Sequence, residues 1–271
     1  MTADDRQGRL PTFVIVGAMR CGTTSLNGYL RQHPQVAMSS TKEIHFFDRE
    51  FERGLAWYRD HFTTDPAPRA VGEATPHYLF DEAAPARIAA TLPGAGLIIL
   101  LRNPIDRAYS HYWHDRSRAK IAIPFSAAVD AELSGQGHTY VARSRYREQI
   151  ERLFGVVDRD KVLVETFEDL TARPAETFAS VCRFIGVDDG FRPDILGETI
   201  NAYTEFRSPQ VRELSKRLPR LLRRAVGRLN QRTMHGYPPM DPETRRRLAG
   251  VFTGANAGLD ELVGRSLPAW D

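Results

Sequence analysis

Three stretches of the chain are apolar without the polar-every-second-residue alternation of a half-wet sheet. Residues 12–16 (TFVIV), 97–101 (LIILL) and 161–165 (KVLVE) therefore predict strands buried on both faces. Helical spacing follows each of them. Leu26, Tyr29 and Leu30 mark a helix over residues 24–32, and residues 105–116 read as a helix after Asn103-Pro104. Phe178, Val181, Cys182 and Ile185 share one face of a helix over 175–185. Residues 70–72 predict a further short strand, and residues 36–38 are a short apolar stretch. Strands alternating with helices imply an α/β fold with a central, mostly parallel sheet and helices on both faces.

The rest of the chain is read more coarsely. Val211, Leu214, Leu218, Leu221, Leu222, Ala225 and Leu229 fall at helical spacing around Pro219. Proline is tolerated at a first helical position, so two consecutive helices are expected there. Residues 48–80 and 115–147 interrupt the alternation with long polar connections, the kind of segment that shapes a ligand pocket. Trp57, Tyr58, Tyr78 and Trp113 could stack there on a sugar or aromatic ring, or pack in the interior. Residues 1–11 are polar and expected to be flexible, and residues 12–271 are expected to form a single domain. No internal repeat or low-complexity linker is visible.

Composition agrees with a globular protein and removes several classes. The 271 residues are 42% apolar and 26% charged, enough for a sizeable core, which excludes disorder, collagen and coiled coil. Two cysteines, Cys21 and Cys182, make no disulfide framework. The polar N-terminus carries no apolar leader core, and the longest strongly apolar run, 97–101, is far too short to cross a bilayer. A cytoplasmic location is the expectation. Net charge is +3, yet residues 207–247 hold 12 Lys and Arg against 3 Asp and Glu. That asymmetry is read either as a solvated arginine-rich face or as a site for an anionic ligand, partner or surface, with peripheral membrane contact through 207–247 one form of it.

Candidate chemistry begins where the first strand ends. Gly17-Ala-Met-Arg20-Cys21-Gly22-Thr23-Thr24-Ser25 lies between a buried strand and a helix. Backbone N–H groups point into such a turn, the helix N-terminus adds partial positive charge, and the three hydroxyls add donors. An anion site follows. A nucleoside triphosphatase would carry Gly, four residues, then Gly-Lys-Ser/Thr. Here Thr23 stands in place of the lysine and the cation is Arg20, so a kinase binding β- and γ-phosphates with Mg²⁺ is the weaker reading.

The segment Phe13-Val-Ile-Val-Gly17-Ala-Met-Arg20-Cys-Gly22-Thr-Thr-Ser-Leu26 resembles the 5′-phosphosulfate loop of sulfotransferases that use 3′-phosphoadenosine 5′-phosphosulfate (PAPS). Leu100-Leu-Arg102-Asn-Pro104-Ile-Asp-Arg107-Ala-Tyr-Ser110-His-Tyr112-Trp-His114 is similar to that family's 3′-phosphate segment. Lys42-Glu43-Ile-His45-Phe46-Phe47-Asp48 resembles the block carrying the catalytic glutamate in the heparan-sulfate branch, and Gly54-Leu-Ala-Trp57-Tyr58 also has a counterpart there. Weaker likenesses continue through Gly72-Glu73-Ala-Thr75-Pro76, residues 165–170, and Tyr237-Pro238 to Trp270, so nearly the whole chain is covered.

The resemblance implies a P-loop-type three-layer fold and transfer of a sulfuryl group from PAPS, without a metal, to a hydroxyl or amine of a glycan, glycolipid or small metabolite. Arg20, Cys21, Gly22, Thr23, Thr24, Ser25, Arg102 and Ser110 would bind the donor. An arginine at a strand end can grip a phosphate through two parallel bonds, which supports Arg102 independently. Glu43 is the candidate general base, with His45 the other group able to take the proton. His114 matches a histidine placed near the sulfuryl group in the N-sulfotransferase version of the motif, and Arg20 would stabilise charge on the departing phosphate.

Three departures stand out. The family usually has lysine where this chain has Arg20, which keeps the charge but does not readily donate a proton. Glycan-modifying relatives carry a Lys-Gly-Arg loop before Tyr-Pro, where this chain has Thr233-Met-His235-Gly236; Arg228 or Arg232 could replace it. Ala74 stands where glycan-acting members often have lysine. The alternative functions are a small-molecule P-loop kinase and a non-catalytic polyanion-binding module; a nucleic-acid partner is not expected.

Overall fold

The central sheet has five strands, all parallel: β1 (Phe13–Gly17), β2 (Val36–Met38), β3 (Ala70–Ala74), β4 (Gly96–Leu101) and β5 (Val162–Thr166). Their spatial order is β2-β3-β1-β4-β5. The structure, a computed structural model, describes residues 8–118, 120–198, 204–206, 231–233 and 237–270. All of β1 and β3 is buried, as is β4 beyond Gly96, so the unbroken apolar runs are what burial on both faces requires. Gly72 sits opposite Phe13 across β1 and β3, and a Cβ there would come within 2.1 Å of the Phe13 ring. The missing side chain is the room the ring fills.

Helices surround this sheet: α1 (Thr23–Gln32), α2 (Gly54–Arg59), α3 (Ala84–Thr91), α4 (Pro104–Ser117), α5 (Phe125–Leu133), α6 (Tyr146–Phe154), α7 (Phe167–Ala172) and α8 (Pro174–Phe184). Two further helices, Pro242–Ala255 and Leu259–Val263, close the described chain. The three-layer α/β arrangement is the expected one. From β1 the chain runs out to the β2 edge, returns beside β1 as β3, then crosses to its other side as β4. Such a reversal, read at the C-terminal strand ends, is where open α/β sheets bind ligands. Among the described residues no helix is long and apolar enough to cross a membrane.

Several elements differ from the sequence reading. The 115–147 stretch holds α5, whose buried Phe125, Ala128 and Val129 recur at helical spacing and pack with Ile105, Tyr112 and Phe252 in a second apolar cluster. The 48–80 stretch holds α2 and β3. Tyr58 and Tyr78 are interior residues, not ring platforms: their hydroxyls donate to the buried Glu73 carboxylate at 2.5 and 3.3 Å, joined by Thr75 at 2.9 Å. At the N-terminus, Gly8 and Pro11 are buried, and Arg9 reaches the Pro68 carbonyl at 2.7 Å. Strands β6 (Thr204–Phe206) and β7 (Gln231–Thr233) form a separate antiparallel pair. The two helices expected around Pro219, Arg228, most of the basic segment 207–247, and residues 234–236 lie outside the described residues, as does the side chain of Arg232.

Candidate active site

The loop after β1 is held from three sides. A bulge at Ile15–Gly17 against β4 turns the strand out of register just before it. Gly22 caps α1 with φ +90°, and a Cβ there would come within 3.0 Å of Leu170 and Phe167. No side chain caps the first turn of α1, which leaves a terminus of the kind that receives anions. The fully buried Arg107 donates to the Met19 carbonyl at 3.4 Å and to the Ser144 hydroxyl, fixing the loop against α4. Cys21 turns inward: its N–H bonds the Ala18 carbonyl at 3.2 Å, and burial pushes its thiol up to about 11. It shapes the loop from inside, whereas Thr24 and Ser25 are half-buried and Thr23 is buried.

Arg20 and Arg102 meet at the same sheet edge. Arg102 follows β4 and donates to the Arg20 carbonyl at 3.4 Å, while its guanidinium lies 4.5 Å from the Phe167 ring centre. Asp106, in the first turn of α4, pairs with Arg245 at 2.9 Å rather than with Arg102. Asn103 caps α4 by accepting from the N–H groups of Ile105 and Asp106 at 2.9 and 3.2 Å, with Pro104 at the first helical position. That cap sets the phase of α4, so Ser110 and His114, four residues apart, share one face.

The Arg20 guanidinium reaches both of them. It donates to Ser110 Oγ at 3.1 Å, to His114 Nδ1 at 3.2 Å and to the Tyr237 hydroxyl at 3.2 Å. A guanidinium only donates, so His114 Nδ1 is the acceptor and its proton sits on Nε2. Burial, with the charges of Arg20, Arg118 and Lys120, pushes His114 down to about 3 and keeps it neutral. Tyr237 also bonds Ser110 at 3.0 Å, and its ring stacks parallel to Trp113 at 6.1 Å. Trp113 thus supports Tyr237. The sequence reading passed over Tyr237 as a site residue, although its Tyr-Pro pair lies in a matching segment.

Glu43 and His45 come from the loop after β2. The Glu43 N–H donates to the Ala74 carbonyl at 3.1 Å, hanging the loop from the C-terminal end of β3. Partial burial pushes the Glu43 carboxyl up; the hydrogen bond and charge of Lys42, then the charges of His77 and His45, more than offset this and leave it below the ordinary value. Glu43 is therefore ionised at neutral pH. Its charge is felt at His114, which places the two in one electrostatic neighbourhood. His45 bonds the Asp48 carboxylate through Nδ1 at 2.9 Å. A carboxylate held ionised accepts, so His45 donates from Nδ1 and Nε2 is the ring nitrogen that Asp48 leaves untouched.

Among the described residues, the non-glycine positions with left-handed backbone are Arg20 (φ 73°), Glu43 (φ 60°) and His45 (φ 59°). Such conformations cost of order 1 kcal/mol or more each and cluster where geometry serves chemistry. His77, absent from the sequence reading, lies beside His45 with ring centres 4.9 Å apart. Its proximity arises only through the turn after β3, so no local pattern signals it.

Comparisons with known proteins agree with this geometry. A family described as the sulfotransferase domain matches residues 10–233. The human bifunctional heparan sulfate N-deacetylase/N-sulfotransferase 3 is 29% identical over 97% of this chain and 31% of its own length. The Dictyostelium discoideum membrane-associated sulfotransferase kil1 is 42% identical over 53% of this chain and 32% of its own. The chain thus spans about a third of the length of these curated relatives. A sulfotransferase from Alicyclobacillus acidocaldarius superposes with a TM-score of 0.75 and 29% identity, over 97% of this chain and 99% of that one. The mouse sulfotransferase SULT7A1 complexed with PAP, 16% identical over 95% of this chain and 88% of its own, shares the fold with a TM-score of 0.56.

Proposed function

Since the chain belongs to the sulfotransferase domain family, we propose that it moves a sulfuryl group from PAPS to a hydroxyl or amine of a glycan, glycolipid or small metabolite. One observation carries the reading. Arg102, just past the end of β4, bonds the main-chain carbonyl of Arg20 in the loop after β1, and the Arg20 guanidinium bonds Ser110, all beside the uncapped terminus of α1. That arrangement suits a ligand with anionic groups at both ends, such as an adenosine bisphosphate.

In this reading the α1 terminus, Thr23, Thr24, Ser25 and Arg20 receive the 5′-phosphosulfate, and Arg102 with Ser110 receives the 3′-phosphate. Cys21 and Gly22 give the loop its shape. Glu43 takes the proton from the acceptor as its oxygen or nitrogen attacks sulfur; the S–O bond to the 5′-phosphate breaks, and the departing negative charge falls on Arg20. His45, its Nδ1 held by Asp48, is the second group able to accept that proton, at Nε2. His114, neutral, acts as a hydrogen-bond partner that orients Arg20. Residues 12–271 act as a single domain.

Calorimetric titration with 3′-phosphoadenosine 5′-phosphate, without added metal, tests the donor assignment. Saturable one-site binding is expected. Failure to bind it, together with Mg²⁺-dependent binding of ATP, would instead establish the kinase reading.

A further inference from the structure

Glu43, His45 and His77 each place one ligating atom within 4.8 Å of those of the other two. We propose that these three side chains form a binding site for a borderline-soft divalent cation of the Zn²⁺ class, and that its occupancy switches transfer off.

The donor set is two imidazoles and one carboxylate, a combination that suits Zn²⁺ and leaves a fourth position open. Zinc holds such atoms about 2.0–2.2 Å away, so the three must close by on the order of an ångström. Rotation about side-chain bonds covers that. Asp48 accepts from His45 Nδ1 at 2.9 Å, which fixes the ring and leaves Nε2 for a metal, the carboxylate–histidine arrangement found behind metal ligands.

His77 supplies a second, independent sign. Its Nδ1 is buried and makes no hydrogen bond, so the ring holds an unused polar atom beside His45. A buried polar group without a partner is costly, and a metal is one partner that would satisfy the ring. Glu43 and His45 both adopt left-handed backbone in this short segment, and their ligating atoms lie together.

Opposing terms are present. Lys42 pairs with Glu43 and must release it, but both side chains are partly exposed and such a pair is weak. Arg49 and Arg143 add positive charge near His77, against the negative charges of Glu43 and Asp48. Two imidazole nitrogens and a carboxylate outweigh that field for Zn²⁺, while Mg²⁺, which prefers oxygen ligands, would not bind.

The consequence for turnover rests on the sulfotransferase reading above. A cation on Glu43 and His45 occupies the lone pairs of both groups able to deprotonate the acceptor. The protein would then bind its donor and transfer nothing.

The test titrates the metal-free, tag-free chain with ZnCl₂ by calorimetry, and with Co²⁺ by visible absorption. One Zn²⁺ per chain and four-coordinate Co²⁺ bands are expected. His77→Ala should remove the bands, and Asp48→Asn should weaken Zn²⁺ by about 10–100-fold, as loss of a carboxylate behind a metal-bound histidine does. Absence of one-site binding in the wild-type chain, or affinity unchanged in His77→Ala and Asp48→Asn, overturns the site. Neither binding measurement involves turnover. A chain that binds Zn²⁺ but transfers no sulfuryl group even when metal-free refutes the functional reading alone, and one that transfers with Zn²⁺ bound refutes the switch alone.

Discussion

Arg102 donates to the main-chain carbonyl of Arg20 at 3.4 Å, so the arginine at the end of β4 helps to hold the loop that follows β1. The two elements proposed to hold the donor's phosphates are thereby tied to each other. Arg102→Ala is expected to weaken 3′-phosphoadenosine 5′-phosphate by about 10–100-fold, the 1.5–3 kcal/mol of a hydrogen bond to a charged group. Arg102→Lys should recover little, because lysine cannot make two parallel bonds to one phosphate. Calorimetry reads both, and full recovery by lysine would mean that Arg102 acts only as a point charge.

Glu43→Gln keeps the shape of the side chain and removes the base. Turnover should fall by about 10²–10⁴-fold, with donor affinity changed less than about twofold because Arg20, Arg102 and Ser110 are untouched. A variant that retains turnover transfers the role to His45, at Nε2.

Tyr237 bonds both Arg20 and Ser110 through one hydroxyl. Tyr237→Phe preserves the stack on Trp113 and deletes those bonds, so a loss of about 0.5–1.5 kcal/mol per hydrogen bond is expected. That loss should appear as a modest drop in Tm, and the freed Arg20 as a raised KM for the donor. A drop in Tm with unaltered KM would make Tyr237 a packing residue only.

Burial drives the Glu73 carboxyl up from the ordinary 4.5 to about 7, against the hydrogen bonds donated by Tyr58, Thr75 and Tyr78. The folded chain keeps this proton in a window where the unfolded chain has released it. The contribution of Glu73 to stability therefore falls as pH rises from about 4.5 to about 7. Relative to wild type, Glu73→Gln should gain stability over that window by up to about 1.4 kcal/mol per pH unit. Denaturation series at pH 5 and pH 8 check the sign, and a difference that does not move with pH refutes it.

Fold and site were not equally readable from the chain. Strands β1 and β4 are unbroken apolar runs because both lie buried in the middle of the sheet, so burial itself writes the signal, while β5, at the sheet edge, is only partly buried. Arg102 was visible for a related reason: a charge ending such a run must leave the core where the sheet opens. Helix α5 was hidden inside a segment judged by its polarity, although Phe125, Ala128 and Val129 carry the right spacing. For Tyr58 and Tyr78 the sequence left ring platform and interior packing equally open, because their partner, Glu73, is a buried carboxyl group whose need for donors no local pattern displays. Tyr237 lies 217 residues from Arg20, and His77 reaches His45 only after α2, β3 and the segments joining them; only the fold creates those meetings.

The left-handed backbone at Arg20, Glu43 and His45 sets thermal robustness against activity. Glycine at any of the three would relax the main chain while erasing the functional group. A library selected by heat alone would drift toward well-folded, inert proteins at these positions, and ancestral or consensus stabilisation of this scaffold should hold all three constant.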